Sequence, residues 1–599
     1  MRVRARLTGE LMARCWRAER ALTLLVLACM AVGTVAFAGL GLASKTVVDA
    51  AVEGDLRLLV LAAVVTAVAY VVDWVVDDVG FTMRMHVVER VAQTDVEPEV
   101  MRACTDVDEI DHLERTDFLD RITAVRGRAW AVVDSAWSVV EAAALVLRLA
   151  LTVALLGSVS PWLLLLVPCA GVQLVLDAAG RRRSTAAEIA TSEDQRLQRH
   201  LFELCTSPAT SKEIRVAGAE DELVARQQAT ALGVVHARAR ALLTAAALST
   251  AGWAVFAAGF TAALALVVRS AGQPGGSLGD VVLAVAVGSQ LRSVVQQAVG
   301  RASDAGGYGR IVEPYLWLRA FAAERLAGQV ATAAPPTALT EAITLEHLAF
   351  TYPGAARPAV DDVSVTIPAG TVVAVVGEYG SGKTTLVKLL TKLYRPDTGR
   401  ITVDGTDLAE IGTPGWRAVT SAAFQDFGRY QTTFDEAVGL GDPARMASRE
   451  AVDAAVAAAD AGALRSRLPA AGASLLGSRF DGTELSEGQW QKVALARACM
   501  RTRPLLFVLD EPTASLDAPS EHEIFARYME RSRRLARDCG AVTVIVSHRF
   551  STVAGADLIL VMEHGRLVEH GTHPDLLARP GGGVYAELFG IQATAYADS

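Results

Sequence analysis

The chain has 599 residues, of which 52% are hydrophobic and 21% charged, and its mean hydropathy is +0.31. That is too long for one domain and too apolar for an ordinary soluble protein, so a membrane portion is expected. A formal charge of −9 supplies no basic excess to neutralise a phosphate backbone, which argues against nucleic acid as a partner.

In chain order, the apolar run Ala21 to Gly41 follows Arg2, Arg4, Arg6, Arg14, Arg17 and Arg20. A secretory apolar core is about 7 to 15 residues long, whereas this run is long enough to cross a bilayer, so it reads as an uncleaved first span. Further apolar stretches fall near 57–79, 129–156, 160–179, 241–268 and 279–298, which makes six candidate spans. Arginines cluster before span one, between Arg84 and Arg128, at Arg181-Arg182-Arg183, and at Arg301 and Arg310. By the positive-inside rule that side is cytoplasmic. The outward loops are short (44–56, 157–160 and 270–279). The cytoplasmic connections 80–128 and 180–240 are long, charged and helix-compatible. The seven cysteines are scattered without a C-x-x-C pair and read as reduced packing residues.

Hydrophobicity and periodicity drop over 328–340, which contains Pro335-Pro336, and this segment reads as a linker between a membrane domain (1–327) and a soluble domain (341–599). From Ile343 short β-like runs alternate with helix-like segments. The expected architecture is a multidomain membrane protein: an all-α six-helix transmembrane domain followed by a soluble α/β domain, for which the motifs below imply the P-loop ATPase type.

Gly377-Glu378-Tyr379-Gly380-Ser381-Gly382-Lys383-Thr384 matches G-x-x-x-x-G-K-[ST] between an apolar strand, Val372 to Val376, and a helix-like Leu386 to Leu393. Glycines let several backbone N–H groups face one phosphate, and the positive end of the following helix adds to the attraction. Lys383 is expected at the β/γ-phosphates of ATP and Thr384 on Mg²⁺, with Thr385 continuing the cradle. The apolar run Leu505 to Leu509 ends in Asp510-Glu511. Asp510 is expected to support the Mg²⁺ shell and Glu511 to orient or deprotonate the attacking water.

With Leu485-Ser486-Glu487-Gly488-Gln489 added to these motifs, the sequence over 343–590 resembles the ABC ATPase family. The resemblance implies that this LSGGQ-like element caps the γ-phosphate of a nucleotide held by a second subunit, through Ser486, Gly488 and Gln489. Glu487 departs from the pattern, where glycine is usual, and puts a carboxylate close to a triphosphate. The resemblance also implies adenine stacking on Tyr352, a coupling and Mg²⁺ role for Gln425, contact across a dimer at Ser515-Leu516-Asp517, and a γ-phosphate contact and catalytic role for His548. The connections His112 to Ile122 and Glu203 to Ala217 resemble the coupling helices of exporter-type members.

Ionisable residues within spans (Asp73, Asp77, Asp134, Glu141, Arg148 and Arg292) either pair structurally or line a substrate path. What the resemblance implies is an exporter-type ABC half-transporter, and the Ala/Val/Arg-heavy composition points to a bacterial source and hence to the plasma membrane. Membrane lipids would surround it, and it would pair with a second half-transporter, a copy of itself before a paralogue. It would hydrolyse ATP with Mg²⁺ to move a lipid, peptide or small hydrophobic molecule. An importer of the same fold, a non-transport ABC ATPase and a membrane-anchored regulator are the alternatives.

Overall fold

The computed structural model describes residues 2–271, 277–328, 332–512, 518–547, 553–580 and 582–597. The chain divides into two compact units: Met1–Arg102 with Asp120–Arg319, and Ala103–Leu119 with Ala320–Ser599.

The first unit is helical. Helix α1 (Arg2–Ala18) is followed after one non-helical residue, Glu19, by α2 (Arg20–Glu53). The Cys15 carbonyl at this break accepts the Thr23 hydroxyl at 3.2 Å. Gly54, at φ +76°, ends α2 in the left-handed conformation, and the Asp55 carboxylate caps α3 (Leu56–Val91) by accepting the N–H groups of Arg57 and Leu58 at 3.0 Å. A left-handed glycine followed by a capping acid turns the chain back on itself within two residues, which is why the connection between the first two spans can be so short.

A π-helical turn, Ala92–Val96, joins α3 to α4 (Glu97–Thr105), and short helices α5 (Asp111–Glu114) and α6 (Thr116–Val125) follow. Then come α7 (Ala129–Val159), α8 (Leu166–Ala190), α9 (Ser192–Thr206), α10 (Pro208–Ala217), α11 (Glu220–Ala271) and α12 (Leu278–Ala327). Among the described residues six helical stretches are long and apolar enough to cross a membrane: Arg20–Glu53, Leu56–Thr105, Ala129–Val159, Pro161–Ala190, Glu220–Arg269 and Leu278–Arg301. They coincide with the six expected spans and run beyond them, because helical backbone continues into the charged connections.

Several charged side chains within this unit are paired. The buried Arg84 reaches Glu141 and lies 3.8 Å from Asp134; Arg301 meets Glu141 at 2.7 Å, and the Tyr308 hydroxyl donates to Asp134. Of the sequence candidates, Asp134 and Glu141 therefore sit in a polar network joining α3, α7 and α12. Arg292 lies over the Trp253 ring. Asp77 and Arg148 line a cavity of about 310 Å³ together with Trp74, Phe81, Arg84 and Glu141.

Helices α8 and α11 approach through a small residue. A Cβ on Gly180 would stand 3.0 Å from Ala245 Cα, an atom that cannot swing aside. Close approach of this kind supplies the dispersion contacts that bind helices where lipid offers no hydrophobic drive. Gly171, on the same helix, has nothing within 4 Å of such a Cβ. Gly180→Val is expected to cost about 1–3 kcal/mol by overpacking and to lower the melting temperature of the purified protein, whereas Gly171→Val leaves it unchanged.

The second unit holds two sheets. An antiparallel sheet comprises β1 (Ala342–Phe350), β2 (Val360–Pro368), β4 (Thr398–Val403) and β5 (Thr406–Asp407), in the order β2-β1-β4-β5. The larger sheet has the order β10-β9-β3-β8-β7-β6, with β3 (Val372–Val376), β6 (Thr420–Ala423), β7 (Leu506–Asp510), β8 (Val542–Val546), β9 (Leu558–Glu563) and β10 (Arg566–Gly571). From β9 to β6 its strands are parallel, and every residue of β3, β7 and β8 is buried, as expected of strands covered on both faces. The carboxyl ends of β3, β7 and β8 therefore open on the same edge, where α/β sheets bind ligands.

The segment Ala103–Leu119 belongs to this unit. Ile110 N–H donates to Leu393 O at 3.0 Å, Arg417 donates to the Asp108 carbonyl, and Arg325 meets Asp111 at 3.0 Å. His112 is buried with its ring centroid 4.7 Å from Phe118 and 5.8 Å from Phe321. The compact division thus falls at 102/103, 119/120 and 319/320.

Candidate nucleotide site

The phosphate loop follows β3 and leads into α13 (Lys383–Leu390). Two of its glycines are demanded by the backbone. At Gly377, with φ +147°, a Cβ would overlap the Met562 carbonyl; at Gly382, with φ +99°, it would overlap the Ala359 carbonyl. The Lys383 ammonium donates to Gly377 O at 2.9 Å and Glu378 O at 2.7 Å, and lies 3.4 Å from Ser381 Oγ. Burial pushes its pKa down, while Glu511 and Asp510 push it up. The Glu378 side chain and Gly380 are exposed, and Tyr379 is fully so.

At the end of β7, Asp510 is 1% exposed. Its Oδ1 lies 3.5 Å from the Thr384 hydroxyl, and its Oδ2 has no hydrogen-bond partner among the described residues. Burial raises its pKa to about 6, opposed by the Thr384 hydrogen bond and by Lys383 and reinforced by Glu511. A buried, under-partnered carboxylate beside a hydroxyl is a donor set that a hard cation such as Mg²⁺ satisfies, with the remaining ligands coming from phosphates and water. Among the described residues no three His, Cys, Asp or Glu side chains converge to hold a metal by themselves.

Glu511 adopts φ +47°, an unusual conformation for a glutamate. Its N–H donates to Val546 O at 3.0 Å, its carbonyl accepts Gln491 Nε2 at 3.2 Å, and its Oε2 accepts Gln425 Nε2 at 3.0 Å. Gln425 and Glu511, 86 residues apart, are thus brought together. Tyr352 packs edge-on to Phe350 and Tyr394 at 5.0 and 5.4 Å, touches Thr385 Oγ1 through its hydroxyl at 3.2 Å, and has Lys388 Nζ 5.5 Å from its ring centre.

The LSGGQ-like element opens α18 (Glu487–Ala498). Ser486 caps the helix by accepting Gln489 N–H, while the Gln489 side chain accepts Ser486 N–H at 2.9 Å. Gln489 is thereby engaged in a capping box, a pattern already legible as Ser-x-x-Gln. The Glu487 carboxylate is paired with Arg429, which sequence reasoning missed. Gln491 and its bond to the Glu511 carbonyl were missed as well. His548 and Ser515-Leu516-Asp517 lie outside the described residues.

Six membrane-length helices joined to an α/β domain with this loop and strand arrangement have the fold of exporter-type ABC half-transporters. Residues 360–514 match the family model described as ABC transporter. The chain is 38% identical over 253 residues to the ATP-dependent lipid A-core flippase of Aromatoleum aromaticum, and 38% identical over 255 residues to that of Pseudomonas fluorescens. Both matches take in 42% of this chain and 40% of the relative, so the likeness spans about two-fifths of the length of those proteins. A solved bacterial Atm1-family ABC exporter with ATP bound shares the fold at TM-score 0.74 and 24% identity, over 96% of this chain and 99% of that one.

The Asp510 titration has a readable consequence. With its pKa raised to about 6, the carboxyl is largely neutral below that pH and a poor ligand for a cation. Apparent Mg²⁺ affinity, measured by isothermal titration in the presence of nucleotide, is expected to fall as pH drops through about 6. Asp510→Asn binds more weakly at pH 8 and loses that pH dependence.

Proposed function

We propose that the chain is one half of an ATP-driven exporter, working as a dimer in the inner membrane of a bacterium, with its N-terminus and ATPase domain cytoplasmic. The observation that carries this reading is the convergence of Lys383, Thr384, Asp510 and the Gln425–Glu511 pair at one edge of a parallel sheet, in a chain with six membrane-length helices.

In this reading Lys383 and the loop N–H groups hold the phosphates. Thr384, Asp510 and Gln425 would hold Mg²⁺, which when bound would supply positive charge toward the phosphates. Glu511 positions water for attack on the γ-phosphorus, its backbone braced by Val546 and Gln491 and its carboxylate oriented by Gln425. His548 completes the γ-phosphate contacts, and Tyr352 receives the base. Ser486, Gly488 and Gln489 open a helix whose positive end faces the nucleotide of the partner. A second copy of this chain is the partner we favour over a paralogue, because Lys383, Asp510, Glu511 and His548 are all present.

The cargo we propose is amphipathic. The cavity beside α3 and α7 combines Trp74 and Phe81 with Arg84, Arg148, Glu141 and Asp77, which suits an apolar body with a charged head. The relatives named as lipid flippases agree with that class.

The test is Mg-ATP hydrolysis by the protein in lipid nanodiscs, with lipids, peptides and drugs screened for stimulation. The wild type is expected to turn over and to be stimulated by amphipathic lipids, and Glu511→Gln to lose about 10²–10⁴-fold in kcat. A wild type without turnover, or a Glu511→Gln variant as fast as the wild type, contradicts the reading.

A further inference from the structure

A carboxylate at the first position of α18 poses an electrostatic problem that the neighbouring loop addresses. The positive end of a helix attracts anions, but Glu487 occupies that end with a charge of the same sign as a phosphate. Arg429 is ion-paired with it, and both side chains are about half exposed, at 49% and 52%.

Arg429 is held in place by its flanks. The Arg497 guanidinium stacks on the Tyr430 ring at 3.8 Å, and its side chain donates to Gly428 O at 3.1 Å and to Ala437 O at 2.8 Å. Arg497 itself belongs to α18, so the helix carries both the acid and the clamp that presents the base. Arg429 also stands four residues beyond Gln425, whose side chain meets Glu511. One short loop therefore touches the water-positioning glutamate at one end and the partner-facing helix at the other.

We infer that Arg429 is a positioning residue for the nucleotide held by the partner subunit. It neutralises Glu487 and draws that carboxylate aside, so that the positive end of a helix beginning Ser486-Glu487-Gly488 is open to a triphosphate. This rests on the proposed two-subunit sandwich. A plain surface ion pair of this exposure stabilises little and leaves nucleotide affinity untouched, so the two roles separate in kinetics.

The experiment measures KM for ATP and kcat in nanodiscs for the wild type, Arg429→Ala, Arg429→Lys, Glu487→Gly and the Arg429→Ala/Glu487→Gly double variant. Arg429→Ala is expected to raise KM about fivefold with a smaller change in kcat, and the rise shrinks with added salt. Arg429→Lys keeps the charge and recovers most of the affinity. The double variant returns KM close to the wild-type value, because removing the carboxylate removes the need for its counter-charge. An unchanged KM in Arg429→Ala, or a double variant as impaired as the single, overturns the inference. If the wild type shows no turnover, or Glu511→Gln keeps it, the proposed sandwich fails and the role of Arg429 with it.

Discussion

The second unit depends on a carboxylate buried where none of the described residues fully neutralises it. Asp510 ends a strand of buried apolar residues between two parallel neighbours, so it cannot turn to solvent without disturbing the sheet. Holding that charge is costly, which is why its pKa climbs to about 6. Thr384 from the phosphate loop and Lys383 beside it are placed to offset the cost in part. The arrangement is electrostatically incomplete, and in the proposed function a cation with its phosphates would complete it. Binding would then stabilise the edge of the sheet where the loops after β3 and β7 meet.

The same logic operates at α18, with the signs reversed. There a helix terminus suited to an anion carries a built-in acid, and the loop from Gln425 to Tyr430 brings a base to it. The loop is fixed by contacts to α18 rather than by secondary structure of its own, so the Gln425–Glu511 bond and the Arg429–Glu487 pair share one mechanical support. In a dimer, a change at one nucleotide would be felt at the other through five residues of backbone.

Much of this was legible in the sequence because it is encoded locally. Apolar runs of membrane length announced six spans, and the glycine pattern with its flanking strand announced the phosphate loop. The connection between the first two spans read as a loop over 44–56, whereas the helix runs on to Glu53 and the turn is confined to Gly54 and Asp55. What was not legible depends on distant contacts. The resemblance pointed to a coupling helix at His112 to Ile122, but the partners that hold 103–119 within the second unit, Leu393, Arg417 and Arg325, all lie more than 200 residues away and carry no local mark. The Arg429–Glu487 pair spans 58 residues and has no motif to mark it. The left-handed conformation of Glu511 follows from its bond to β8 and could not be read from an acidic pair. The Ser486–Gln489 capping box, by contrast, was visible in the spacing and was passed over in favour of the nucleotide.

The central claim is that nucleotide is held between the phosphate loop of one copy and the α18 terminus of another. The most direct test is cysteine cross-linking between two differently tagged copies in nanodiscs, one carrying Tyr379→Cys and the other Gly488→Cys. Both copies carry Glu511→Gln, in a background with the seven native cysteines replaced. The account predicts a cross-linked pair that accumulates with Mg-ATP and is scarce without it. Absence of the cross-link, or its formation irrespective of nucleotide, would contradict the account.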